Sequence, residues 1–194
     1  VHSLAATAPA ARWLLLVTAV IWVALELRQS ITHRPEGHKA GWGSEAVFRL
    51  IVAAGAGAAI VLMRTAPGAV IRPAAAAAWA GLALFWLGVA LRVWSFRTLG
   101  RYFTFVVQAS SDQPVITDGP YRFIRHPSYA GILLAVLALG LLIGNWWSLL
   151  SLAVAVTGGL VFRIHVEEQA LLESLGDRYR SYAATRKRLV PFIW

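Results

Sequence analysis

Two apolar runs, Tyr129 to Ile143 and Trp146 to Phe162, are separated by nothing more than Gly144-Asn145, and this constrains the whole chain. Each run is near or below the ~20 residues that a helix needs to cross a bilayer core, so the pair predicts a tight helical hairpin that tilts or sits short of a full crossing. Trp146 and Trp147 would mark its far interface. A polar stretch stands at each foot of the hairpin. The first runs from Gln108 to Gly131 and the second from Arg163 to Trp194, and between them they hold nearly all the candidate chemistry of the chain.

The rest of the sequence fits the same solvent. Hydrophobic residues make up 58% of the 194 and charged residues 14%, well under the quarter expected of a soluble domain. Ala10 to Leu27 reads as a first span, started by Pro9, rather than as a signal peptide. Arg28 to Ser44, with Pro35, Gly37, Gly41 and Gly43, reads as a loop. Ala46 to Met63 is a second span with Arg49 snorkelling near its start, and its many small residues suit close helix packing in lipid. Arg64, Pro67, Gly68, Arg72 and Pro73 break the helix before Ala74 to Leu91 forms a third. Arg92, Trp94, Phe96 and Arg97 would anchor that span at the interface. Phe103 to Val107 is β-branched and aromatic but too short to predict a sheet. The expected fold is therefore all-α and multi-pass, with about five transmembrane helices. Residues 1–97 hold three of them, and residues 98–194 hold the functional core.

The formal net charge is +9, which could suggest nucleic acid, but the basic residues flank apolar segments, so lipid headgroups and topology are the expected reason. With five spans, Arg12, Arg64 and Arg72 share one side. Arg28, Arg34, Lys39, Arg97, Arg101, Arg122, Arg125 and the basic tail share the other, which the positive-inside rule assigns to the cytoplasm together with both polar stretches. Arg178, Arg180, Arg186, Lys187 and Arg188 are expected to face headgroups. There is no cysteine, which excludes a thiolate metal site, a disulfide framework and a cysteine nucleophile.

At the first foot, Arg125-His126-Pro127 leads into the hairpin, and Pro127 suits a first helical position whose neighbouring N–H groups face an anionic or electron-rich ligand. The same residues also read as a plain interfacial anchor. His126 has no second histidine at metal-ligand spacing, so no metal site is predicted. At the second foot, Arg163 and Glu167 are four residues apart and share a helix face. A zwitterion could use both, Glu167 meeting an ammonium or sulfonium and Arg163 a carboxylate; an ordinary helix ion pair is the alternative. Beyond them, Leu171, Leu172 and Leu175 continue an amphipathic helix, Gly176 is a natural stop, and Asp177 could cap a short helix bearing Tyr179 and Tyr182.

Taken together, Phe103-Thr104-Phe105-Val106-Val107-Gln108, Gly119-x-Tyr121-x-x-x-Arg125-His126-Pro127-Ser128-Tyr129-x-Gly131, Glu167-Glu168 ahead of Leu175-Gly176-x-x-Tyr179-x-x-Tyr182, and the closing Leu189-Val190-Pro191-Phe192 give the chain a family likeness over about residues 96 to 194. It resembles the isoprenylcysteine carboxyl methyltransferases, integral membrane enzymes that use S-adenosylmethionine. The resemblance implies that Gln108, Gln113, Pro114, Val115, Ile116, Tyr121, His126, Pro127, Ser128, Tyr129 and Glu167 contact the methyl donor. It places Arg163 on the substrate side as the catalytic residue that meets a methyl-accepting carboxylate. The connection from Gln108 to Ile116 is shorter than in the eukaryotic pattern, and so is the acidic run before Leu175-Gly176, but Glu167 stays in register when counted back from Gly176.

Methyl transfer from a sulfonium needs alignment and exclusion of water more than a base, and an ionised carboxylate acceptor needs no deprotonation. The implied acceptor is lipophilic or small: an isoprenylcysteine-like carboxylate, an isoprenoid acid or a thiol. Membrane lipids are expected partners and nucleic acid is not. Two other readings stay open. Arg-His-Pro-x-Tyr-x-Gly and a Pro-aromatic end also occur in sterol-reductase-like enzymes that bind reduced nicotinamide cofactors, and a membrane scaffold without catalysis would need only the basic tail.

Overall fold

The computed structural model describes residues 42–100, 114–190 and 194, with Val17, Val20, Ile21 and Ala24 as isolated positions. Apart from those four positions, the predicted first span lies outside the described residues, as do the segment Phe103 to Val107, Gln108 and Gln113. Among the continuous described residues five α-helices and one 3-10 turn follow in order: α1 (Trp42–Thr65), α2 (Ala74–Leu99), the turn Gly119–Arg122, α3 (Pro127–Ile143), α4 (Trp146–Leu175) and α5 (Asp177–Thr185). Among the described residues all extended regular structure is helical, joined by two isolated bridges, Val70 with Asn145 and Ile124 with Lys187. The helices pack in the order α2, α3, α4, α1.

α1, α2 and α4 are each long and apolar enough to cross a membrane, and α3 is a shorter apolar helix of 17 residues. With about 1.5 Å of rise per residue, α3 is about 25 Å long against a hydrocarbon core of ~30 Å, which agrees with a hairpin whose first arm falls short. α4 has 30 residues and so is about 45 Å long, carrying its last turns, from Arg163 on, past the core. One helix thus serves as both span and site support.

In lipid the faces between helices gain little from hydrophobic burial, so close fit has to hold them. A Cβ built on Gly88 of α2 would stand 2.6 Å from the Gly131 carbonyl oxygen, and one on Gly131 of α3 would stand 2.7 Å from that of Gly88. These two glycines let α2 and α3 touch backbone to backbone. Phe85, Val89, Ala135 and Ala138 fill the rest of that contact. Between α1 and α4, Phe48 packs with the fully buried Val156 and Leu160.

The far end of the bundle is closed by the link between α1 and α2. Asn145 caps α4 by accepting from the Ser148 amide (3.1 Å) and donates its own amide to the Ala66 carbonyl (2.9 Å). Backbone bonds from Ile71 to the Gly144 carbonyl and from Trp146 to the Ala69 carbonyl complete the seam. The hairpin turn and the link therefore share one end, and the two polar stretches meet at the other.

Candidate functional site at the foot of the hairpin

α3 begins at Pro127, as the sequence predicts, with His126 as its N-cap residue. The residues before it do not hang free. Ile124 pairs with Lys187 in a parallel bridge, the Arg125 amide donates to the Lys187 carbonyl (2.8 Å) and the His126 amide to that of Arg188 (3.0 Å). The start of α3 is thus clipped to the chain that follows α5.

Glu168 joins the two. Its carboxylate is buried and reaches Arg125 Nη1 (3.2 Å) and His126 Nε2 (3.1 Å) with one oxygen and Arg188 Nε (2.9 Å) with the other. Two arginines and a histidine from opposite polar stretches converge on one acid. Arg188 therefore turns inward, contrary to the expectation of a headgroup contact, because the Lys187 and Arg188 backbone is held beside α3 and directs its side chain at Glu168. The expected cap by Asp177 is also absent: Gly176, at φ +55°, is the residue before α5, and Asp177 is the first helical residue, paired with Arg180.

His126 stacks on Tyr129 with ring centroids 5.5 Å apart and planes 9° from parallel. Its other nitrogen, Nδ1, lies 3.8 Å from Glu167 Oε2. Tyr129 passes the line on through its hydroxyl, which accepts from Arg163 Nε at 2.8 Å. Arg163 is buried and pairs with Glu45 of α1, with Nη1 2.8 Å from Oε2, while the charge of Glu167 one helical turn on also acts on it. Beside the i,i+4 neighbour that the sequence suggests, Arg163 thus has a counter-charge on another helix. α1 starts at Trp42, four residues ahead of the predicted span, and that extra turn puts Ser44 and Glu45 at the level of Arg163.

Arg92 is likewise no interfacial anchor. α2 runs on to Leu99, so Arg92 is buried against α3, where Nη1 donates to Ser128 Oγ at 2.7 Å and the guanidinium lies 4.6 Å from the Phe96 ring centroid. Tyr121, on the 3-10 turn, is buried, and its carbonyl accepts from the Tyr182 hydroxyl at 2.8 Å. Burial, then the charge of Glu167, pushes the Tyr121 phenol well above its ordinary range. Burial pushes Tyr182 up to about 12 against the opposing pull of Arg186. Both phenols keep their protons at neutral pH.

His126, Tyr129, Arg163 and Glu167 form one continuous group, with Tyr121, Pro127 and Ser128 buried beside it. Val115 packs on Leu175, Tyr179 and Tyr182 below α4. Pro114 is exposed and Ile116 half-buried. Three buried polar atoms have no hydrogen-bond partner among the described residues: Arg125 Nε, Glu167 Oε2 and Tyr179 Oη. Buried polar atoms are rarely left so, and Glu167 Oε2 borders the His126 and Tyr129 rings.

A bundle of membrane-crossing helices that gathers its buried charges at one end, around the start of one helix and the overrun of another, defines an integral membrane protein with a polar cluster at one end of its helices. The chain belongs to the phospholipid methyltransferase family, whose pattern matches residues 76–178, more than half of it. It is 33% identical over 115 residues to protein-S-isoprenylcysteine O-methyltransferase B of Arabidopsis thaliana, covering 58% of each chain. It is 32% identical over 109 residues to protein-S-isoprenylcysteine O-methyltransferase of Schizosaccharomyces pombe, covering 55% of this chain and 46% of that one. Its fold matches a solved eukaryotic intramembrane Ras methyltransferase, isoprenylcysteine carboxyl methyltransferase, with a TM-score of 0.59 and 26% identity over 75% of this chain and 52% of the other. The chain thus spans about half the length of the relatives it matches.

The sequence reading named Glu168 as part of the motif but gave it no role, treated Arg92 and Arg188 as surface groups, and passed over Ser44 and Glu45. A signal existed for Glu168, an acid beside Glu167 just past the apolar part of its helix. None existed for Glu45, whose importance depends on which helix α1 packs against.

Proposed function

We propose that the chain transfers a methyl group from S-adenosylmethionine to a lipophilic or small acceptor bearing a carboxylate or a thiol, at the cytoplasmic face of its membrane. The observation that carries this reading is the orphaned Glu167 Oε2, buried beside the stacked His126 and Tyr129 rings, with Arg163 on the other side of the Tyr129 hydroxyl. An acid with an unmet lone pair suits a donor that bears an ammonium and a sulfonium, and a neighbouring arginine suits an anionic acceptor.

The bound donor would supply an already activated methyl group. What the protein's residues do is orient and enclose. Glu167 offers its unpaired oxygen, and His126, kept in place by Glu168, presents a ring wall continued by Tyr129. Tyr121 and the Pro127-Ser128 backbone close the side toward α2, where Arg92 holds Ser128. Gln108 and Gln113 are assigned to the same donor by family resemblance. Arg163 holds the acceptor side, fixed by Tyr129 and Glu45 so that the two reactants meet in line. Burial of these side chains keeps water from competing. The methyltransferase names of the relatives favour this reading over the reductase and scaffold alternatives. An isoprenylcysteine carboxylate is the acceptor they suggest.

Calorimetric titration of S-adenosylhomocysteine into detergent-purified protein tests it. Saturable binding that is lost in Glu167→Ala and in Tyr129→Ala is expected. Folded wild-type protein that takes up no ligand would overturn the reading.

A further inference from the structure

Arg163 comes to its place already carrying a carboxylate. Glu45 Oε2 lies 2.8 Å from Arg163 Nη1, Ser44 Oγ accepts from the same nitrogen at 3.4 Å, and the Arg163 side chain is 4% exposed. Glu45 also reaches outward, with Oε1 2.7 Å from Nε of Arg49, whose side chain is 65% exposed. α1 lies outside the residues that match the family pattern. It nevertheless supplies a counter-ion to the residue that the methyl-transfer reading places on the acceptor.

We propose that Glu45 is a positioning and selectivity residue that sets the charge Arg163 presents to an anionic lipophilic acceptor. The inference rests on the methyl-transfer reading and deepens it. A guanidinium taken out of water without a counter-ion is strongly unfavourable, so some carboxylate must sit beside Arg163 when no acceptor is bound. Glu45 fills that role, and it fixes the guanidinium plane together with the Tyr129 hydroxyl. An incoming acceptor carboxylate must then share Arg163 with Glu45 and is partly repelled by it. A neutral ester, the product of carboxylate methylation, meets no such repulsion. The resident acid therefore compresses the difference in affinity between an acidic acceptor and its methylated product by weakening the hold on the acid alone.

The test measures binding of N-acetyl-S-farnesylcysteine and of its methyl ester to detergent-purified protein, with S-adenosylhomocysteine binding as the separate readout of the donor site. Glu45→Gln keeps the shape and an accepting oxygen for Arg163 but removes the charge. It is expected to strengthen binding of the acid by about tenfold, with binding of the ester and of S-adenosylhomocysteine unchanged. Glu45→Asp, which retains the charge, should return the ratio of acid to ester affinity toward the wild-type value. Arg49→Gln alters the pair from an exposed position with little risk to the fold, and should weaken binding of the acid alone. A merely structural role for Glu45 would move both probes together, and that result overturns the proposal, as does an unchanged acid affinity in Glu45→Gln and Arg49→Gln. If neither probe binds while S-adenosylhomocysteine does, this inference fails and the methyltransferase reading stands. If S-adenosylhomocysteine fails as well, both fall.

Discussion

Replacing Glu168 by alanine removes the acid on which Arg125, His126 and Arg188 converge at 3.2, 3.1 and 2.9 Å. The three partners stay where the backbone bridge between Ile124 and Lys187 places them, so the variant leaves the two guanidiniums together without the acid between them. Breaking a buried ion pair by deleting one member costs about 3–5 kcal/mol. The lower end, about 3 kcal/mol, corresponds to about a hundredfold in an equilibrium constant. That free energy acts on the contact between the start of α3 and residues 187 and 188, which Glu168 and two backbone bonds hold closed. Arg186, Lys187 and Arg188 are all trypsin sites. When reclosing is faster than cleavage, the rate of cleavage follows the population of the open form. Trypsin should therefore cut Glu168→Ala at these residues about a hundredfold faster than wild type, while Glu173→Ala, at an exposed position of the same helix, should match wild type. Quantifying the fragment by mass spectrometry against time measures it. Equal cleavage rates in wild type and Glu168→Ala would refute the reasoning, because Glu168 would then contribute nothing to holding the tail.

Gly131→Ala should destabilise the bundle by about 1–3 kcal/mol, since its new methyl would press on the Gly88 carbonyl and backbone cannot move aside as a side chain can. A lower midpoint of thermal unfolding in detergent is the expected readout, and a wild-type midpoint counts against close backbone contact between α2 and α3. Tyr182 gives a pH dependence. Its folded pKa is raised to about 12 from an ordinary value of 10.0, so its stabilising contribution is complete below pH 10 and is lost as pH rises toward 12. Melting curves from pH 8 upward should show a steeper alkaline loss of stability in wild type than in Tyr182→Phe, and parallel curves would argue against it. The phenylalanine variant should also be less stable at neutral pH by about 0.5–1.5 kcal/mol through loss of the bond to the Tyr121 carbonyl. Arg92→Ala should lower affinity for S-adenosylhomocysteine by releasing Ser128 beside the donor site, and unchanged affinity would separate Ser128 from that site.

Much of this molecule was legible along the chain. The apolar runs announced membrane helices, because in lipid the helix is the structure that satisfies its backbone within one segment. Gly144-Asn145 announced the hairpin turn, since a left-handed residue and a side-chain cap are what end one helix and start the next there. Pro127 marked the start of α3, and the spaced motifs of the last hundred residues carried the family likeness. These signals are local: each depends on a residue and its near neighbours in sequence.

What the chain alone did not reveal were the partners. Arg163 has an acid four residues on, and it also pairs with Glu45, 118 positions earlier, because α1 packs on α4 and brings that carboxylate within 2.8 Å. Arg92 and Arg188 look like surface charges in sequence and are turned inward by the packing of α2 on α3 and by the clip between Ile124 and Lys187. A buried charge takes whichever counter-charge the assembled helices bring near it. Helix existence and turn position follow from local chemistry, whereas ion-pair choice depends on burial and proximity, which arise when separate helices meet.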